Sequence, residues 1–404
     1  MTEPAGPPAP ITVVHVITVA GSLDFFVGQS AFMRERGFTL HAIASPEKYL
    51  DDFGQREQVE VHAIRMSRRI TPGDDLRALW QLWRTLRSIR PDVVHSHTPK
   101  AGLLGTIAAT LAGTPARLYT VRGVPHFTAT GLRRRLLLAA EWTSCALAHR
   151  VLAVSHSVRD IIVEEGLCRP DKVKVLASGS GQGVDATRRF KPLGAATRSE
   201  VRARCGIPQD ALVVGFVGRL VNEKGMRELA QAWSSLRASH PTLHLLLMGS
   251  LEGEDDAIPA EMIAALRADE RVHFAESDVT DMPPFYSAMD VVALPTYREG
   301  FSNVALETAA MALPIVAARV PGCVDAVEDG RTGTLVEPRD HAALAWALRR
   351  YLDDPDLRAR HGEAARRRVL AEFRPELIWG AIAAEYRALL ARVERRPSSA
   401  SSGR

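Results

Sequence analysis

The chain has 404 residues, enough for two domains of ordinary size, and its 46% hydrophobic and 24% charged content is that of a soluble globular protein. Its 51 basic and 47 acidic residues leave a formal charge of +4, too slight and dispersed to indicate a nucleic-acid partner. Four scattered cysteines (Cys145, Cys168, Cys205 and Cys323), with no Cys-x-x-Cys and no histidines at zinc spacing, exclude a disulfide scaffold or zinc module and read as reduced packing residues.

Residues 1–10, "MTEPAGPPAP", form a Pro-rich head that composition predicts to be disordered and that lacks the charged and apolar regions of a signal peptide. No apolar run approaches the roughly 18 residues of a membrane span, so a cytoplasmic protein is expected. From Ile11 the chain alternates short β-branched runs with longer helical patterns: "ITVVHVIT", "FTLHAIAS", "VEVHAIR", "DVVHSH", "ARLYTVRG", "RVLAVS" and "KVKVLAS". After the turn-rich "SGSGQGVDATRRFKPL" comes a second series: "LVVGFVG", "LHLLLMG", "RVHFAES", "DVVALP", "PIVAA" and "GTLVEP". This rhythm predicts an α/β protein of two Rossmann-like parallel-sheet domains, over 11–190 and 191–375. A helical stretch at 376–395 either closes the second domain or crosses back to the first, and 396–404 is a tail of disordered composition.

In the first half, His15 near the end of the first strand is expected to be packing. "HSHTPKAG" sets His95 and His97 on one side of a strand end; the pair could bind metal, but without a third ligand it reads more readily as hydrogen-bonding core. Lys100, beside a helix start, is a candidate for an acceptor phosphate. Residues 131–150 carry a net +3, from Arg133, Arg134, Arg135 and Arg150 against Glu141. That helix is either buried with a solvated basic start or lies on an anionic membrane surface.

The second half opens with "GFVGRLVNEKGMRELAQAW": a strand, a turn at Gly218, then Arg219, and Lys224 just before an amphipathic helix. A planar guanidinium and a compact ammonium at a helix N-terminus suit a diphosphate. In "TYREGFSNVALETAAMALPIV", Glu299 and Glu307 follow a buried strand, with Ser302 or Asn303 as the helix cap. Carboxylates would repel a phosphate unless the ligand also carries hydroxyls for them to accept. A nucleotide sugar meets both demands.

"GRLVNEKG", "EGFSNVALE" and "PGCVDAVEDGRTGTLVEPRD" together resemble the retaining glycosyltransferases of family 4, which have the GT-B architecture of two Rossmann-like domains facing across a donor and acceptor cleft. "HSHTPKAGLLG", "YTVRGVPHFTATGLRRRLLLAAEWTSCALAHRVLAVSHSVRD" and "SGSGQGVD" look like the bacterial branch that builds capsular and other surface polysaccharides. The resemblance implies that Arg219 and Lys224 bind the donor diphosphate, Glu307 the ribose hydroxyls, and Glu299 the sugar. Gly218 and the amides near Phe301, Ser302 and Asn303 would complete the phosphate cradle, and Gly249, Ser277 and Val279 would hold the nucleobase. The family often has a sugar-facing histidine in a Thr-x-His-Gly stretch. Here "TVRGVPHF" puts Arg122 at that place and His126 four residues on, leaving the role open between them.

The implied activity is transfer of a hexose from a nucleotide-diphosphate donor, expected to be a UDP-sugar, to a hydroxyl acceptor, with retention and without metal or other cofactor. The acceptor is expected to be a lipid-linked saccharide, and the enzyme to associate with the inner face of the membrane through residues 131–150. A small soluble acceptor, or 2-epimerisation of the nucleotide sugar, uses the same donor machinery. The one literal Asp-x-Asp, Asp354 to Asp356, lies in a Pro turn and is expected to be solvated rather than metal-binding.

Overall fold

The computed structural model describes residues 9–67, 69–251, 256–275 and 281–394. All thirteen apolar runs form strands. They are β1 Ile11–Val16, β2 Phe38–Ala44, β3 Glu60–Ala63, β4 Val93–His97, β5 Ala116–Val121, β6 Arg150–Ala153 and β7 Val173–Lys174, followed by β8 Leu212–Val217, β9 Leu243–Met248, β10 Val272–Ala275, β11 Val291–Leu294, β12 Ile315–Ala318 and β13 Thr334–Val336. The first seven make one sheet in the order β3-β2-β1-β4-β5-β6-β7, the last six another in the order β10-β9-β8-β11-β12-β13. Every strand pairing in both sheets is parallel. Parallel neighbours require crossovers, which are supplied here mainly by helices covering both faces; this is why the central strands read as continuous apolar runs instead of alternating ones.

The chain divides into two units, Gly183–Arg374 and a first unit of Met1–Gln182 with Pro375–Arg404. The boundary thus falls eight residues before the expected 190, and the last helix, Pro375–Glu394, belongs to the first unit. Its residues Ile378, Ile382, Ala383, Tyr386 and Leu389 are buried in one apolar cluster with Val13, Phe38 and Leu118. At roughly 1.5–3 kcal/mol for each large apolar side chain, that burial holds the helix far more firmly than its propensity could. In the second unit, Leu229, Trp233 and Leu236 of helix Met226–Ser239 pack with Leu344, Leu348 and Tyr351 of helix His341–Asp353 over one face of the sheet. No helix among the described residues is long and apolar enough to cross a membrane. The four cysteines are free thiols.

Candidate active site

In the second sheet β8 lies between β9 and β11, so its crossovers leave in opposite directions and open a crevice at the carboxyl edge, the place where such sheets bind ligands. The turn after β8 runs through Gly218 to Arg219, and Asn222–Lys224 makes one 3-10 turn before helix Met226–Ser239. Gly225 joins them at φ 77°, and a Cβ there would overlap the carbonyl oxygen of Pro295, at the end of β11. Only glycine lets the two loops approach this closely. At Gly249, φ 147°, a Cβ would likewise fall on the Gly218 carbonyl, so the β9 loop is pressed onto the β8 loop.

The loop after β11 is laced to that turn. Tyr297 donates its backbone N–H to the Glu223 carbonyl at 2.8 Å, its hydroxyl donates to the Glu228 carboxylate at 2.8 Å, and Arg298 reaches Glu223 Oε2 at 2.5 Å. The lacing delivers Lys224 Nζ to within 2.5 Å of Glu299 Oε1, a pair whose side chains are 18% and 17% exposed. Arg219 Nη2 stands 3.8 Å from Glu223 Oε1 and is more open, at 44%. Two cations and the sugar-side acid of the sequence reading therefore meet at one sheet edge.

Helix Asn303–Ala310 starts at Ser302, whose hydroxyl accepts from Ala305 N at 3.2 Å. Phe301 is buried against Phe373, ring centroids 5.4 Å apart, so the 301–303 backbone is held firmly at the helix start. One turn on, Glu307 Oε2 accepts from the Tyr286 hydroxyl at 2.8 Å. Burial pushes the Glu307 carboxyl up to about 7, against the opposing pull of that hydrogen bond and of Arg189. The hydrogen bond fixes the rotamer while leaving further lone pairs for a ligand's hydroxyls. Ser277 and Val279 lie outside the described residues.

In the first unit the switch in strand order falls between β1 and β4, and there His15 is buried against Phe26, as expected of a packing residue. Register sets His15 opposite His95, and His15 Nδ1 is 3.0 Å from His97 Nε2. The pair in "HSH" thus has a third imidazole beside it. It is still not a metal cluster in its chemistry: His95 spends both ring nitrogens, on the Tyr386 and Thr120 hydroxyls, each at 2.6 Å. All three histidines are held well below their usual value, chiefly by burial and also by the Arg122 charge. The Arg122 charge beside them repels a cation.

Arg122 lies over the Phe25 ring at 4.2 Å and lines, with His15, His97 and Gln29, a cavity of about 20 Å³, room for one water. Burial lowers its guanidinium to about 9, and its Nε makes no hydrogen bond. His126 is turned elsewhere: its Nε2 lies 2.6 Å from Glu165 Oε2, and burial lowers its imidazole below the usual value. Lys100, the candidate for an acceptor phosphate, ion-pairs with Asp75 at 2.6 Å.

The charge of residues 131–150 is redistributed too. Arg150 is the first residue of β6 and pairs with Glu385 at 2.7 Å in the interior, while Glu141 is buried under the helix Gly131–Leu147. Arg133, Arg134 and Arg135 remain at the surface beside Leu132, Leu136 and Trp142, which are 71%, 47% and 56% exposed. Asp354 caps helix Pro355–Glu372 through Leu357 N at 2.8 Å, which accounts for its place before Pro355 without a metal. Tyr286 and the pairing of His15 with His97 escaped the sequence reading because these partners come through helix packing and strand register, not through local spacing.

Residues 26–179 match the "Glycosyl transferase 4-like domain" family and residues 197–368 match "Glycosyl transferases group 1". The chain is 32% identical to the capsular polysaccharide biosynthesis glycosyltransferase CapM of Staphylococcus aureus, over 94% of this chain and 97% of that one. It is 34% identical to the D-inositol 3-phosphate glycosyltransferase of Acidothermus cellulolyticus, over 66% of this chain and 61% of the relative. Among solved structures, HepE of Anabaena with UDP-glucose superposes with a TM-score of 0.78 at 21% identity, over 94% of this chain and all of that one. A glycosyltransferase of Rickettsia africae gives 0.78 at 20%, over 94% and 99%. With its two parallel-sheet units and its switch-point site, this chain belongs to the family 4 glycosyltransferases of GT-B fold.

Proposed function

We propose that this enzyme moves a hexose, with retention, from a UDP-sugar to a hydroxyl of a lipid-linked saccharide in surface-polysaccharide synthesis. The observation that carries the reading is Lys224 paired with Glu299 beside Arg219, at a helix start on the switch-point edge. The CapM name supports a role in capsular polysaccharide synthesis, and the HepE complexes with UDP and UDP-glucose support a nucleotide-sugar donor.

In the reaction the bond from C1 of the sugar to the β-phosphate oxygen breaks and a bond from C1 to the acceptor oxygen forms on the same face. The acceptor's proton passes to the departing diphosphate. Negative charge grows on that leaving group, so Arg219 and Lys224 bind the transition state more tightly than the ground state. As the diphosphate engages Lys224, Glu299 is released to face the ring as it becomes oxocarbenium-like. Glu307 accepts the ribose hydroxyls; the backbone at Gly218 and at Phe301, Ser302 and Asn303 cradles the phosphates, and the Gly249 loop borders the base. Arg122 and His126 are the two candidates for the sugar and acceptor side. These cations neutralise the leaving group without a metal ion.

A panel of nucleotide sugars screened by thermal stabilisation identifies the donor, and proton NMR of the product then reads the anomeric configuration. An α-linked product from an α-donor, nucleoside diphosphate released only with acceptor present, and turnover unchanged by EDTA are expected. An inverted product, or turnover abolished by EDTA and restored by magnesium, overturns the mechanism; a 2-epimer formed without acceptor identifies an epimerase.

A further inference from the structure

At the edge of the first sheet stands another group of imidazoles, one that sugar transfer does not use. β3 runs parallel to β2 with His41 opposite Glu60 and Ile43 opposite His62. Side chains alternate along a strand, so Glu60 and His62 share a face, and the register sets His41 beside both. His41 Nδ1 lies 3.4 Å from His62 Nε2 and 3.5 Å from Glu60 Oε2, and His62 Nε2 lies 3.6 Å from Glu60 Oε1. Donors bonded at about 2.1 Å to a tetrahedral zinc ion stand about 3.4 Å apart, close to the approach of each pair here, with one Glu60 oxygen turned to each imidazole and one donor atom from each of the three residues within 4.8 Å of the others.

We propose that His41, Glu60 and His62 form a surface site for a zinc-class divalent cation, with a fourth position open to water. The side chains of His41 and His62 are 11% and 22% exposed and Glu60 66%, so an ion enters from solvent without any opening of the fold. Burial holds both imidazoles below their usual value, leaving neutral bases able to ligate. The carboxylate supplies the anionic ligand that the buried trio of His15, His95 and His97 lacks, and no guanidinium plays the part Arg122 plays there. A bound ion would join β3, a four-residue edge strand, to β2, fastening one edge of the sheet. Without an ion, the same side chains amount to an imidazole hydrogen bond and a surface ion pair of small worth.

The test is calorimetric titration of zinc chloride into the untagged full chain after EDTA treatment and dialysis, with magnesium chloride as control and thermal unfolding alongside. One zinc per chain is expected, with a higher Tm and no response to magnesium. His41→Ala and His62→Ala should each weaken binding about tenfold or more, and Glu60→Gln, an exposed substitution that leaves folding intact, should weaken it measurably. Sugar transfer should be unchanged by zinc removal. Absence of saturable zinc binding by the wild-type chain overturns the proposal, as does zinc binding of wild-type strength in the folded His41→Ala/His62→Ala or Glu60→Gln variant.

Discussion

At the scale of residues, the ligand-free site holds its charges in pairs that the reaction rearranges. Lys224 and Glu299 neutralise one another at 2.5 Å, an arrangement that keeps an acid and a cation close together in a partly buried place. On the proposed mechanism a diphosphate offers Lys224 more negative charge than one carboxylate, and the exchange would free Glu299 for the sugar. Replacing Lys224 with Ala removes a contact that strengthens as the diphosphate leaves, a loss of about 2–4 kcal/mol in the barrier. In a folded Lys224→Ala variant, kcat should fall roughly a hundredfold or more, with Arg219→Ala behaving alike. Near-normal kcat in the double variant would place the chemistry elsewhere. The candidate residues were legible because each follows a strand end in its own motif. Their pairing was not, because Lys224 and Glu299 meet only through hydrogen bonds from Tyr297 and Arg298 to Glu223.

At the scale of elements, the helix Gly131–Leu147 shows two faces with separate consequences. Its outer side exposes Arg133 and Arg135 with Leu132, Leu136 and Trp142, while Arg134 pairs with Glu165 at 2.6 Å; the proposed membrane contact would use these exposed residues. Vesicles with one-third phosphatidylglycerol should bind the chain and shift Trp142 emission to the blue, while pure phosphatidylcholine should not. Arg133→Glu with Arg135→Glu should abolish that shift; its persistence would remove the helix from membrane contact. The inner face buries Glu141, whose carboxyl is pushed up to about 7 by burial, against the Tyr119 hydrogen bond. Its folded value exceeds the unfolded one, so the fold favours the protonated form. The stability this confers is complete below about 4.5 and is lost as pH rises through about 7, an effect of about 3 kcal/mol. Chemical denaturation at pH 5 and pH 8 should therefore show a smaller pH dependence for Glu141→Gln than for the wild-type chain, and equal slopes would contradict it. The helix itself was legible from its pattern. Which acid it buries, and that Arg150 belongs to β6 paired with Glu385, depended on packing across the sheet.

At the scale of the molecule, the thirteen apolar runs predicted thirteen strands because strands of a parallel sheet are buried on both faces and leave an unmistakable composition. The domain boundary was displaced from 190 to 182, since a turn-rich linker carries no periodicity to mark where contacts divide. The last helix joined the first unit through Ile378, Ile382 and Tyr386, an outcome its amphipathic pattern left open. The family relationship then fits a catalytic unit whose site lies where strand order reverses, and the proposal that Glu299 and Glu307 serve different parts of one donor can be tested there. The direct measurement is calorimetry with UDP, which has the ribose and diphosphate but no sugar, at pH 8, where a carboxyl near 7 is ionised. Glu307→Gln should weaken UDP by about 1–3 kcal/mol, roughly five- to a hundredfold, and Glu299→Gln should bind it within about twofold of wild type. Equal losses in the two variants, or a loss confined to Glu299→Gln, would contradict the assignment of the site.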